Sequence, residues 1–245
     1  MHALEITWLY KKDRGAQPPH FADPGNAQET LTATTITMQF TPSQLLRYAV
    51  EEKDRDAVRR LLQMNPSISL MREVRIVDAI LDNPDPTILR ILCNHQPVFV
   101  NFFFPYIHVA ESFLTKACTK PPNKINSVIH VLLDNGAQVN MGRPPDGGAL
   151  SAAIVCGQSL DIISKIINKG GIINLRTILE AIRLERADVI ELLLNYGDVS
   201  PDVDANVERM TEEAVKTANE QIKRVVVAWA EKMKLLINYG KLRVE

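Results

Sequence analysis

A small residue followed at a fixed distance by an apolar pair recurs along this chain, and that spacing limits its architecture more than any other feature. Leu46-x-x-Ala49 leads, twelve residues past the alanine, to Leu61-Leu62; Ile76-x-x-Ala79 leads at twelve to Ile91-Leu92, and Ile178-x-x-Ala181 at twelve to Leu193-Leu194. Two looser copies join Leu114-x-x-Ala117 to Leu132-Leu133 at fifteen and Leu150-x-x-Ala153 to Ile166-Ile167 at thirteen. The extra residues of the first fall in Lys120-Pro121-Pro122-Asn123-Lys124, where prolines mark a loop insertion. Each copy then meets a turn signal: Asn65-Pro66, His95-Gln96-Pro97, Asn135-Gly136-Ala137, Lys169-Gly170-Gly171 and Tyr196-Gly197-Asp198. Gly or Asn there accepts φ > 0 and closes a helix. The unit is therefore two short helices and a loop, with turn-to-turn periods of 30, 41, 34 and 27 residues, and the same signal predicts a sixth stop at Tyr239-Gly240. One apolar stripe per helix cannot bury itself, so stacking on neighbours must supply the core.

The best copy, Ala181-Ile182-Arg183-Leu184-Glu185-Arg186-Ala187-Asp188-Val189-Ile190-Glu191-Leu192-Leu193-Leu194-Asn195-Tyr196-Gly197, resembles the ankyrin repeat, with Ile182 and Glu185 in place of that family's second Ala and first Gly. Leu132 to Asn140 resembles the ending of the same repeat, whereas the family's Thr-Pro-Leu-His opening is missing and Thr41-Pro42 lies too far ahead of Leu46. The resemblance implies an all-α fold: an ankyrin-like α-solenoid of about five helix-pair repeats over residues 41–200. From Ala205 to Asn238, Val207, Met210, Ala214, Ile222, Val225, Trp229 and Met233 recur at helical spacing among Glu, Lys and Arg, which predicts a C-terminal capping helix pair over 201–245. Leu4, Ile6, Trp8 and Tyr10 alternate with less apolar residues, as do Ile36, Met38 and Phe40. Alternation predicts an N-terminal β-hairpin within a leader over 1–40, with a flexible segment as the other reading.

Charge and motifs narrow the function. With 28 Lys+Arg against 29 Asp+Glu, the chain has no overall field for a polyanion, so no nucleic acid is expected. The most apolar run, Pro97 to Ala110, is broken by Asn101, Pro105 and His108, and no membrane span is expected. The start lacks the layout of a secretory signal and the three cysteines are dispersed, which together predict an intracellular setting, cytoplasmic or nuclear. Neither a phosphate-binding Gly-x-x-x-x-Gly-Lys-Ser/Thr nor a Gly-x-Ser-x-Gly elbow occurs, and no two histidines share a helix face, so no cofactor or metal is expected. His130 and Asp134, one turn apart, are an acid-base pair or a surface contact.

Three sets of residues are candidate contacts. Phe102, Phe104 and Tyr106 belong to an aromatic cluster in the longest connection, either interface anchors or core. Arg143 and Asp146 lie in a Pro/Gly-rich stretch where the resemblance places a fingertip. Glu52, Asp82 and Arg183 fall near the small residue of their units, in a groove of changing sign that suits one specific protein better than a uniform polyanion. The expected function is non-enzymatic protein–protein interaction, with another protein as partner. The alternative is a small-molecule-binding or catalytic protein whose pocket uses the aromatic cluster as its wall and His108 or His130 as polar group.

Overall fold

The computed structural model describes residues 40–105, 110–141, 148–196 and 203–241. The predicted N-terminal β-hairpin lies outside the described residues. Among the described residues the fold is mainly helical, at 73%, with twelve α-helices and little strand. In order they are α1 Pro42–Glu51, α2 Arg55–Met64, α3 Val74–Asp82, α4 Pro86–His95, α5 Phe113–Cys118, α6 Pro122–Asp134, α7 Gly148–Val155, α8 Leu160–Asn168, α9 Leu175–Arg183, α10 Ala187–Tyr196, α11 Val203–Lys216 and α12 Glu220–Lys241. α12 runs through Tyr239-Gly240, the expected stop, and ends one residue later at Lys241.

Helix starts follow local hydrogen-bonding chemistry. Thr41 caps α1 in a reciprocal box: its hydroxyl accepts from the Gln44 N–H at 3.3 Å while Gln44 Oε1 accepts from the Thr41 N–H at 2.8 Å. Pro42 follows at the first helical position, where its missing N–H costs nothing. Asn174 caps α9 in a like reciprocal box with Thr177, whereas the side chains of Asp54, Ser112 and Ser159 each accept one N–H at the starts of α2, α5 and α8.

Three of the turns between paired helices share one geometry. The N–H groups of Asp54, Gln158 and Arg186 donate to the carbonyls of Ala49, Ala153 and Ala181, five residues back in every case, at 2.9, 2.8 and 3.0 Å. That 6→1 bond requires a left-handed residue just before its donor. Gly157 supplies it at φ 70°, but Lys53 and Glu185 adopt it at 55° and 53° against the strain a Cβ imposes. Glu185→Gly and Lys53→Gly should each therefore stabilise the fold by about 0.5–1 kcal/mol, seen as a higher urea midpoint.

Successive pairs pack row on row. α1 packs on α3, and α5, α7, α9 and α11 pack in succession; α2, α4, α6, α8, α10 and α12 form the second row. The core runs through both rows. Ala117, Ala153 and Ala181 are completely buried and Ala49 nearly so, whereas Ala79 is only partly covered. A short antiparallel hairpin, β1 Phe103–Pro105 with β2 Ala110–Ser112, stands between α4 and α5, with Phe103 opposite Ser112 and Phe104 opposite Glu111.

Candidate partner-binding surfaces

Phe102 and Phe104 of the aromatic cluster are core, contrary to their use as interface anchors. Phe102 and Phe104 are 1% and 0% exposed. Phe99 meets Phe102 and Phe113 edge-on at 6.1 and 5.7 Å between ring centroids, and Phe102 meets Phe104 at 5.2 Å. The cause is the hairpin: along an extended segment alternate side chains point to opposite faces, so Phe102 and Phe104 go inward and Phe103 outward. These rings fill space with one another and do not wall a pocket. Tyr106, His108, Arg143 and Asp146 lie outside the described residues.

Two of the three candidate charges are already paired within the fold. Asp82 accepts from Lys120 Nζ at 2.8 Å, and Arg183 donates to Glu213 at 2.6 Å. Glu52, at the C-cap of α1, is exposed. Asp82 and Arg183 belong to a wider pattern along the first-helix row. Lys116 of α5 donates to Asp78 of α3 at 2.9 Å while its ammonium sits 4.0 Å from the centre of the Phe104 ring; Ser151 of α7 donates to Glu180 of α9 at 2.6 Å. Hydrogen bonds from Arg183 and Lys216 hold the Glu213 carboxyl below its ordinary range. Partners 29 to 38 residues apart in sequence thus bind each other across neighbouring helices.

α7 interrupts this row of charges. Its sequence, Gly-Ala-Leu-Ser-Ala-Ala-Ile-Val, carries none. A helix apolar on every side is ordinarily buried, yet Val155 is 51% exposed, and Leu184, just past α9, is 46% exposed. Sequence reasoning missed both residues, although an eight-residue helix with no charged face was a usable signal.

The second row carries a polar cluster of its own. His130 Nε2 lies 3.4 Å from Asp161, its Nδ1 lies 3.3 Å from Lys165 Nζ, and Lys165 reaches Asp134 at 2.6 Å. The hydrogen bond from Lys165 keeps the Asp134 carboxyl below the usual aspartate range. Both His130 and Asp134 therefore turn to α8 instead of to each other, as a contact between helices. Burial pushes the Cys93 thiol up to about 12, and it raises Cys118 further, with Cys156 adding to the effect. Thiols so held are poor nucleophiles.

An open depression of about 340 Å³ is lined by Gln138, Val139, Asn140, Met141 and Lys169. Among the described residues, no cluster of His, Cys, Asp and Glu is arranged to hold a metal ion, and no helix is long and apolar enough to cross a membrane. No protein-family model, curated protein or solved structure matches the chain, so its role is argued from its own residues.

Proposed function

We propose that this chain is a non-enzymatic, ankyrin-like repeat scaffold that binds another protein inside the cell, docking it on the row of first helices. The observation that carries the reading is the uncharged stripe of α7. On either side of it, charges are compensated by neighbours within the fold: Asp78 and Asp82 by Lys116 and Lys120, and Arg183 by Glu213. Val155 and Leu184 are left as exposed apolar groups, as the apolar centre of an interface would be. The shared turns and the row-on-row packing support the repeat reading, since units that cannot bury their own stripes gain a core only by stacking.

Binding at such a stripe draws on apolar burial more than on net charge, so it should change little with ionic strength. A photo-crosslinking amino acid at position 155, introduced in the source cells, should give a discrete adduct with one protein. The same group at Glu191, exposed on α10, should not. Equal adducts from both positions, or none from position 155, would count against the reading.

A further inference from the structure

We propose that the loops joining successive helix pairs form a second docking surface, and that its occupant is a protein segment rich in carboxylates and bearing apolar side chains. Amide side chains stitch these connections edge to edge. Gln96 Oε1 accepts from the Leu70 N–H at 2.8 Å, and Asn101 Oδ1 accepts from the Gln138 N–H at 2.8 Å. Asn140 bonds its neighbour twice: its Nδ2 donates to the Gly170 carbonyl at 2.7 Å and its Oδ1 accepts from the Ile172 N–H at 3.0 Å. The two 3-10 turns, Leu70–Arg72 and Pro97–Asn101, also pack on each other. Connections from four successive positions are thereby held side by side before any ligand arrives, which lowers the ordering cost of binding.

The side chains on this edge are of two kinds. Met71, Val98, Phe103 and Ile172 are exposed by 36%, 56%, 39% and 61%. Arg72, Arg75 at the start of α3, and Lys169 are exposed; among the described residues Arg72 and Arg75 have no ion-pair partner, while Lys169 lies near enough to Asp134 to help hold that carboxyl below its ordinary range, with Lys165 in the direct contact. The described carboxylates on the same connections, Glu73 and Glu111, are both partly buried, and burial raises the Glu111 pKa against the opposing pull of Lys116. The first-helix row pairs its charges internally; among the described residues, this edge leaves Arg72 and Arg75 without an ion pair beside apolar groups. Carboxylates answer the first and apolar side chains the second. A few separated cations together with four exposed apolar side chains suit an acidic polypeptide better than a phosphate backbone, which rewards a denser run of charge. The inference rests on the scaffold reading only for the class of ligand, and differs from it in residues and in physics.

The test is selection of a displayed random-peptide library on the full chain at low salt, followed by fluorescence anisotropy of the recovered peptides. Sequences combining Asp or Glu with Leu, Phe or Met should be enriched. Their affinity should fall about tenfold or more at high salt, and by a similar factor in Arg72→Glu/Arg75→Glu/Lys169→Glu. An unchanged far-UV spectrum qualifies that variant; the Gln triple variant replaces it if folding fails. Recovery of basic or uncharged peptides, no enrichment, or indifference to the charge variant would overturn the proposal. So would displacement of the peptides by single-stranded oligonucleotide at lower concentration than by free acidic peptide. Peptides that need Val155 and Leu184 but not the three cations would sink this inference and leave the first-helix reading standing.

Discussion

Replacing Phe102 and Phe104 together by serine is expected to cost the fold most of its stability. Truncating a buried phenyl ring removes about 3–5 kcal/mol through lost transfer energy and the cavity left behind. Because these two rings touch at 5.2 Å, the pair should fall short of the sum of the single effects. Even so, the loss approaches the whole stability of an ordinary domain. The expected result is a collapsed urea midpoint or a chain without cooperative unfolding. Phe103→Ser, on the outward face at 39% exposure, is the control and should shift stability by about 1 kcal/mol or less. Equal midpoints for the double variant and the parent would show that the rings are not core.

Asp85→Ala should be the next most damaging change, at about 2–3 kcal/mol. This carboxylate is 6% exposed and serves two purposes: Oδ1 accepts from the N–H groups of Thr87 and Ile88 at 2.8 and 3.1 Å to start α4, and Oδ2 takes Arg55 at 3.0 Å. Burial by itself would raise its pKa, but the bonds from Ile88, Arg55 and Thr87 outweigh burial and hold it below the ordinary aspartate value. A carboxyl depressed in the folded state contributes stability that is fully present above its unfolded pKa of about 3.9, and that contribution is lost as pH falls through the depressed folded value. The parent should accordingly lose stability on acidification below about pH 4, and Asp85→Asn, which keeps an acceptor for the cap, should lose less over that window. Denaturation midpoints measured across this window for both proteins check the sign.

The helix pairs were legible because their two signals are local. An alanine and an apolar pair at twelve residues mark the helices, and Gly136 and Gly170 mark their ends because only glycine takes φ 83° and 89° cheaply. The corresponding turns at Lys53 and Glu185 were hidden, since nothing in those residue types announces a left-handed conformation. Thr41-Pro42 lies too far ahead of Leu46 to match the repeat's opening, yet it caps and begins α1. The aromatic run gave no way to separate core from surface until the hairpin fixed which rings alternate inward. Asp82 and Arg183 share α3 and α9 with Ala79 and Ala181, but their partners stand 38 and 30 residues away. Such pairing depends on how the units register against one another, which no local pattern carries.

The most direct test of the scaffold account is affinity capture from lysate of the source cells, comparing the native chain with a folded Val155→Asp/Leu184→Asp variant and identifying what each retains by mass spectrometry. The account predicts a protein enriched by the native chain and lost with the variant, at low and high salt alike; the same proteins retained by both chains, or a bound metabolite with no protein partner, would contradict it.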